Sequence, residues 1–185
     1  MALTKTPVCD FGKKAEDFKL KSINNNVINL SDVRGENATL IMFICNHCPY
    51  VKAIIKDLAK DCNELKKDGI NSVAIMSNDT KNYPDDSFDN MIRFAEKNNF
   101  GEINYLFDET QEVAEKYGAV CTPDFFGYNK DLKLQYRGRF RELKDLKPIN
   151  NGESDLNVAM KMIAKTNKGP DQQVPSMGCN IKWFN

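Results

Sequence analysis

The sequence contains few of the residue types that reveal a protein's class by number alone. Its 185 residues include six cysteines, one histidine and one tryptophan. Six cysteines with a single closely spaced pair are too few and too scattered for the disulfide framework of a small secreted domain. In a reducing compartment, such a pair indicates redox chemistry or metal binding rather than structural cross-linking.

Net charge and long apolar runs are absent as well. Lys plus Arg and Asp plus Glu number 26 each, so no overall field attracts nucleic acid or an anionic membrane. Residues 1–18 contain no apolar run suited to a signal peptide, and no segment approaches the length of a membrane span. We therefore expect a cytoplasmic protein with no nucleic-acid or membrane partner.

The order of the predicted elements is typical of an α/β domain. Residues 39–44 form an apolar run without alternation, as expected for a central strand that is buried on both faces. Apolar residues then recur at helical spacing up to residue 65. The elements predicted after this helix are a strand at 70–77, a helix at 87–98, a strand at 103–107, a helix ending at 117, a hairpin of 124–128 with 132–137, and a helix at 154–165.

Length and composition predict a single domain over residues 1–185, since a chain of this size with 41% hydrophobic residues supports one sizeable core. Prolines and glycines after the last helix predict an irregular C-terminal tail over 167–185. We expect Trp183 to anchor this tail in an apolar groove, because a chain end stays disordered unless something holds it.

The loop between the first buried strand and the first long helix carries the reactive side chains. Cys45, Asn46, His47 and Cys48 form this loop, and Pro49 suits the first helical position, where its missing N–H does no harm. The positive end of the helix dipole and the unpaired N–H groups favour a thiolate there. A protonated His47 between the two sulfurs would stabilise a thiolate further.

The residues of this loop leave its chemistry open. A free cysteine is often simply buried, and a lone histidine is usually structural. A structural zinc site needs four ligands, and the sequence has no second C-x-x-C or H-x-x-x-H pair. A haem attachment site would need the histidine after the second cysteine. A redox couple and two buried thiols remain as alternatives.

A distant segment, Cys121-Thr122-Pro123, favours the redox couple. A C-x-x-C at a helix start followed later by Thr-Pro before an apolar strand resembles the thioredoxin superfamily, in which a cis-proline packs against the redox pair. The resemblance implies an α/β thioredoxin-like fold, with a central mixed sheet flanked by helices, an N-terminal extension and a C-terminal tail. It also implies a cis bond before Pro123, so that the Thr122 backbone lies beside Cys45 and can pair with an extended peptide substrate.

Further motifs are similar to a narrower family. The segments GKKAEDFKL at 12–20, DETQ at 108–111 and PSMGCNIKW at 175–183 resemble the alkyl hydroperoxide reductase/thiol-specific antioxidant (AhpC/TSA) family. The similarity is greatest to its peroxiredoxin-like group with N-H-C-P-Y-V and C-T-P-D-F-F motifs, and it covers nearly the whole chain. The resemblance implies an antioxidant oxidoreductase without a bound cofactor or metal.

The chain departs from true peroxiredoxins at the reactive site. That family has Thr-x-x-Cys-Pro, and an arginine on a facing strand stabilises the thiolate that attacks peroxide. Here Cys48-Pro49 fits the pattern, but Cys45 replaces the threonine and Thr122-Pro123 stands where the arginine is expected. We therefore predict thiol–disulfide exchange through a redox-active Cys45–Cys48 disulfide. By the thioredoxin resemblance, Cys45 attacks and Cys48 resolves.

The predicted partners are a protein or small-molecule disulfide as substrate and an unidentified thiol reductant. Two other interpretations stay open. The first is a thiol peroxidase that uses Cys48 and takes peroxide as its substrate. The second is a non-catalytic module that binds a metal ion or a partner protein through the same loop.

The remaining cysteines and the hairpin arginines are expected mainly to have structural roles. Cys121 is either a third redox thiol or, as we expect, a small buried neighbour of the pair. Cys9, Cys62 and Cys179 are expected to be structural. Arg137 and Arg139 could reach the site, but both are expected on a solvated hairpin, and no carboxylate is assigned as a proton acceptor.

Overall fold

The computed structural model describes residues 3–7 and 10–184, so Cys9 lies outside the described residues. The strands are β1 (Leu3–Lys5), β2 (Lys19–Ser22), β3 (Val27–Asn29), β4 (Ala38–Phe43), β5 (Ile70–Met76), β6 (Asn104–Phe107), β7 (Cys121–Thr122), β8 (Asp124–Asn129), β9 (Leu134–Tyr136), β10 (Leu143–Lys144), β11 (Lys147–Pro148) and β12 (Met177–Asn180). The α-helices are α1 (Leu30–Val33), α2 (Pro49–Leu65), α3 (Phe88–Lys97), α4 (Glu112–Tyr117) and α5 (Asp155–Thr166). Among the described residues, no helix has both the length and the apolar composition needed to cross a membrane.

A seven-stranded mixed sheet lies at the centre of the fold, in the order β3-β2-β6-β5-β4-β8-β9. Strand β4 pairs in parallel with β5, and β5 pairs in parallel with β6, whereas β8 runs antiparallel to β4. All residues of β4 are buried, as its unbroken apolar run predicts. The predicted α/β class with a central mixed sheet is confirmed.

Helices cover both faces of this sheet. On one face, α2, α3 and α5 bury side chains such as Leu58, Met91 and Ile163. On the other face, α1 and α4 bury Leu30 and Ala114. The sheet therefore has two apolar layers, and the loops at the carboxyl end of β4 lie at the edge of both.

Helix α2 positions the reactive loop. It begins at Pro49, directly after Cys48 as the N-cap residue, and its apolar stripe packs on the sheet. Since β4 ends at Phe43, residues 44–48 form the turn from strand to helix that the sequence predicts. The chain reverses after α2 at Gly69, whose φ of +71° favours a residue without a Cβ atom.

The C-terminal tail is more ordered than the sequence predicts. The expectation of an irregular tail over 167–185 is wrong for β12, which forms the middle strand of a three-stranded sheet between β1 and β7. This pairing joins segments far apart in the sequence, so the local excess of proline and glycine gives no sign of it. The tail is therefore fixed beside the Thr122-Pro123 segment.

The anchor of the tail also differs from the expectation. Trp183 is 38% exposed, whereas Ile181 is buried in the core. Polar contacts hold the next residue, because the Lys182 N–H donates to Asn78 Oδ1 at 2.9 Å and its carbonyl accepts from Gln111 Nε2 at 2.8 Å. The predicted role of Trp183 is wrong, since the backbone hydrogen bonds and Ile181 already fix this segment.

Arg137 is buried rather than solvated, which corrects the expectation for the hairpin. Its guanidinium donates to the Asp124 carboxylate at 2.9 Å and to the Gly118 carbonyl at 2.8 Å. It also lies over the Phe126 ring, 4.4 Å from the ring centroid. Arg137 thus connects two segments. It reaches the end of α4 through the Gly118 carbonyl and the start of β8, the strand that follows Pro123, through the Asp124 carboxylate.

Breaking this pair is expected to destabilise the fold strongly. Asp124→Ala leaves the Arg137 charge buried without a partner, which costs about 3–5 kcal/mol of unfolding free energy. Glu153→Ala, which removes the exposed partner of Lys161, serves as a matched control and costs at most about 1 kcal/mol. Urea denaturation measures both values, and equal losses in the two variants would contradict this assignment.

Candidate active site

Cys48 lies at the centre of a buried group of sulfur and oxygen atoms. It is the N-cap residue of α2 and is completely buried. Its Sγ lies 3.2 Å from the Thr122 carbonyl oxygen and 3.0 Å from the Sγ of Cys179. The start of α2, the end of β7 and the middle of β12 therefore meet at this sulfur.

Several hydrogen-bond donors reach this sulfur and favour its charged form, whereas the Thr122 carbonyl oxygen can only accept from its thiol form. The hydrogen bond from the Cys45 thiol lowers the pKa of Cys48 to about 5, although burial opposes the shift. The Cys179 thiol and the backbone N–H groups of Val51 and Cys179 act in the same direction as Cys45. The Val51 N–H belongs to the first turn of α2, where N–H groups have no partner within the helix. These donors therefore favour the thiolate form of Cys48.

Cys45 is the partner of Cys48 whose thiol form is favoured. Its Sγ is buried and lies 3.3 Å from Thr122 Oγ1, within hydrogen-bonding distance. The hydrogen bond that it donates to Cys48 raises the pKa of Cys45, and burial and the nearby Asp86 carboxylate raise it further. The structure thus brings the two predicted redox cysteines together, with the pKa lowered at Cys48 and raised at Cys45.

A buried carboxylate that the sequence analysis did not assign supports the loop. Asp86 ends the 3₁₀ helix Pro84–Asp86 and has no exposed surface. Its Oδ1 accepts from the Asn46 N–H at 2.8 Å, and its Oδ2 accepts from Asn78 Nδ2 at 2.8 Å and lies 2.6 Å from His47 Nδ1. In the sequence it is one of several acidic residues in a proline-containing loop, and nothing local marks it as buried.

His47 interacts with this carboxylate rather than bonding directly to a sulfur. The hydrogen bond to Asp86 raises the pKa of His47, while burial opposes the shift. The Tyr83 ring stacks on the imidazole, with ring centroids 5.8 Å apart. The Cys48 charge also raises the pKa of His47, so the histidine and the thiolate stabilise each other's charged forms.

The Asn46 side chain fixes the shape of the loop. Its Oδ1 accepts from the Tyr105 hydroxyl at 2.9 Å, and its Nδ2 donates to the Asp85 carbonyl at 3.1 Å. Both contacts reach elements outside the loop. Asn46 therefore holds the two cysteines in place and has no contact of its own with a sulfur in the described structure.

The Thr122-Pro123 segment, which links β7 to β8, contacts both sulfurs. The peptide bond between Thr122 and Pro123 is cis, the Thr122 hydroxyl faces Cys45 and its carbonyl faces Cys48. The resemblance to thioredoxins predicts that an extended peptide substrate pairs with this backbone. Instead, β12 pairs with it in antiparallel register, with Cys179 opposite Thr122.

The other thiols differ in their relation to the pair. Cys121 donates to the Pro123 carbonyl at 3.5 Å, and it faces away from the pair because successive side chains of a strand alternate. Burial raises the pKa of Cys121 and raises that of Cys62, on α2, to about 12. Cys179, which was expected to be structural, is the thiol that contacts Cys48.

One group of side chains at the site could hold a metal ion. Cys45, His47 and Asp86 each offer a ligand atom, and these atoms lie within 4.8 Å of one another. A structural zinc site needs four ligands, so this group would be incomplete without a fourth. The hydrogen bond between His47 Nδ1 and Asp86 Oδ2 occupies two of the three ligand atoms.

The single histidine allows a direct test of its contact with Asp86. In Asp86→Asn the carboxylate is lost, so the pKa of His47 is expected to fall and the imidazolium to lose its proton at lower pH. NMR titration of the imidazole measures this shift. Asp85→Asn is the matched control, because the Asp85 side chain is exposed and its replacement leaves the His47 titration unchanged. Equal titrations of wild type and Asp86→Asn would contradict the contact.

The charge on Cys48 predicts a distinct acid titration. Because the thiolate is the form above the pKa of about 5, its ultraviolet absorbance is expected to persist at neutral pH and to disappear as the pH falls through about 5. Cys48→Ser should lack this transition, whereas Cys62→Ser should keep it. A reduced wild type that shows no such transition would contradict the assignment.

Comparisons with known proteins identify the family of this chain. The profile of the AhpC/TSA family matches residues 11–137. A crystal structure of an uncharacterized conserved protein from Geobacillus kaustophilus is 41% identical with a TM-score of 0.89, and the alignment covers 100% of this chain and 97% of that one. A hypothetical protein from Sinorhizobium meliloti 1021 is 35% identical with a TM-score of 0.90 and 98% coverage of both chains.

A more distant structure shares the fold. The thioredoxin domain of a thiol-disulfide oxidoreductase from Bacteroides vulgatus is 17% identical with a TM-score of 0.59, over 70% of this chain and 89% of that one. No curated protein sequence matches the chain. The matched residues 11–137 include both cysteines of the pair and the Thr122-Pro123 bond. The predicted family is confirmed, and the chain belongs to the AhpC/TSA family.

Proposed function

We propose that this protein is a thiol–disulfide oxidoreductase whose redox couple is Cys45 and Cys48. The observation that carries the proposal is the contact between the sulfurs of Cys45 and Cys48 at the N-terminus of α2, where the pKa of Cys48 is lowered to about 5. Exchange needs a thiolate that attacks one sulfur of a substrate disulfide and a second thiol that resolves the mixed disulfide. The two cysteines supply both groups within one turn.

In the proposed reaction Cys48 attacks and Cys45 resolves, which exchanges the roles implied by the thioredoxin resemblance. Cys48 is the better thiolate, because four donors face its sulfur. Cys45 is the poorer thiolate, because its thiol donates to Cys48 and because Asp86 lies nearby. The lower pKa also makes Cys48 the better leaving group when its own disulfide is reduced again.

The chemical steps balance without a cofactor. The Cys48 thiolate bonds to one substrate sulfur, the substrate disulfide breaks, and the other sulfur leaves as a thiolate. Cys45 then loses its proton to that thiolate and attacks Cys48, which forms the Cys45–Cys48 disulfide and releases the second substrate sulfur. The substrate is reduced to two thiols, the enzyme is oxidised, and an external thiol reductant restores the dithiol.

A groove lined in part by Pro123 offers a binding surface for a disulfide substrate that carries apolar groups. It has a volume of about 470 Å³ and runs from the start of α2 to the segment before β12. Tyr50, Ile54 and Phe140 line its floor, and Arg139 is among its polar lining residues. Such a groove suits a protein or small-molecule disulfide whose flanking groups are apolar, and its lining residue Tyr50 lies two residues after Cys48 in the sequence.

Single-turnover experiments test the assigned roles. With an aromatic disulfide in excess over reduced protein, Cys48→Ser is expected to lose the rapid release of aromatic thiol, since the attacking thiolate is gone. Cys45→Ser is expected to keep this release, because it loses the resolving thiol while the serine hydroxyl can still donate to the Cys48 sulfur. Cys62→Ser, which removes a buried thiol elsewhere on α2, should match the wild type.

A different result would show that Cys45 is the attacking thiol. Rapid thiol release that survives in Cys48→Ser and disappears in Cys45→Ser would overturn our assignment. Absorbance of the released aromatic thiol in stopped flow gives the rate and amplitude for each variant.

Peroxide reduction by Cys48 is a second candidate function, which the low pKa of Cys48 favours. Two features weigh against it. The position of the peroxiredoxin threonine holds the Cys45 thiol, and Arg137 is committed to the Asp124 carboxylate. Hydrogen peroxide and the aromatic disulfide are therefore compared at equal concentration on the reduced wild type, with the disulfide expected to react faster. Faster oxidation of Cys48 by peroxide would favour the peroxidase.

A further inference from the structure

Cys179 lies within the reactive sulfur group although it is 131 residues from Cys48 in the sequence. Its Sγ is 3.0 Å from the Cys48 Sγ, and both residues are buried. A disulfide bond is about 2.05 Å long, so the two sulfurs need to approach by only about 1 Å to bond.

The pairing of β12 fixes this contact. Cys179 lies opposite Thr122 of β7 on one side and opposite Leu3 of β1 on the other, so its backbone is held in a defined register. A Cβ atom at Gly178 would overlap the Thr122 carbonyl oxygen. Only glycine therefore allows β12 to approach β7 closely enough to bring Cys179 to Cys48.

The tail also occupies the edge on which an extended substrate would pair. In an antiparallel ladder, a peptide bound to Thr122 would place a residue where Cys179 now lies. A substrate cysteine at that position would face Cys48 in the same way. Cys179 thus occupies the position in which a substrate thiol would contact the Cys48 sulfur.

We propose that Cys179 is a third redox thiol, which resolves the mixed disulfide at Cys48 by forming an intramolecular Cys48–Cys179 disulfide. The inference rests on the proposed function, because the oxidant is the substrate disulfide of that reaction. Cys179 gives up its proton to the departing substrate thiolate and bonds to Cys48, while the bond between Cys48 and the substrate breaks. Two protein thiols are oxidised for each substrate disulfide that is reduced.

The third thiol acts in sequence with Cys45. Cys48 can bond to only one partner at a time, and Cys45 donates to the same sulfur as Cys179. Attack of Cys45 on the Cys48–Cys179 disulfide forms the Cys45–Cys48 disulfide and returns Cys179 to a thiol, with no net electron transfer. The tail is then released from Cys48 without reducing the enzyme.

The test uses oxidised glutathione, followed by acid quenching, thiol alkylation and peptide mapping by mass spectrometry without reduction. Reduced Cys45→Ser is expected to yield a disulfide that joins Cys48 to Cys179. Cys45→Ser/Cys179→Ser is expected to hold glutathione on Cys48 at least about tenfold longer, because it has lost an intramolecular resolving thiol. Cys45→Ser/Cys62→Ser is the matched control and should behave as Cys45→Ser.

The outcomes separate the inference from the proposed function. Glutathione that persists on Cys48 of Cys45→Ser, with Cys179 alkylated, overturns the inference, while a Cys45–Cys48 disulfide in the wild type retains the function. Absence of both the wild-type disulfide and any modification at Cys48 overturns the two together. The decisive arms keep Cys179, so they do not depend on whether a variant lacking it folds.

Discussion

Stabilisation of negative charge on the Cys48 sulfur is the interaction on which the site depends. A buried thiolate is costly unless hydrogen bonds replace the lost water. The donors come from the loop at Cys45, from the first turn of α2 that directly follows this loop, and from Cys179 on strand β12, which is distant in the sequence. The thiolate therefore links the helix, the reactive loop and the tail, and each segment reaches its position only when the sheet has formed.

A buried carboxylate, that of Asp86, lies close to the two cysteines. Asp86 carries its carboxylate under the reactive loop, where it accepts hydrogen bonds from the loop backbone and faces His47. A carboxylate so close to Cys45 raises the pKa of that thiol. His47, with its raised pKa, offsets part of this charge. The site thus assigns the thiol and thiolate forms to different cysteines by placing negative charge near one and donors near the other.

The sequence predicts the features that follow from local spacing and from family motifs. The apolar run of β4, the helical stripe of α2 and the N-terminal proline of that helix each require only neighbouring residues. Asp86 and β12 could not be predicted in this way, because their burial depends on contacts between distant segments. The same reason explains Arg137, whose carboxylate partner lies on another strand of the hairpin. An isolated Gly-Cys in a tail has no local pattern that reveals which strand it joins.

Gly178 and the short strand around it have a consequence for selectivity. Because β12 covers the edge of β7, the chain carries its own occupant for the position of a substrate strand. Any extended substrate that uses this edge must displace β12, and its apparent affinity falls by the fraction of molecules in which the edge is open. Small three-stranded sheets open locally at a lower cost than a domain core. The four residues of β12 thus compete with a substrate for the edge of β7. Ligands that bind this edge more weakly than β12 does are excluded.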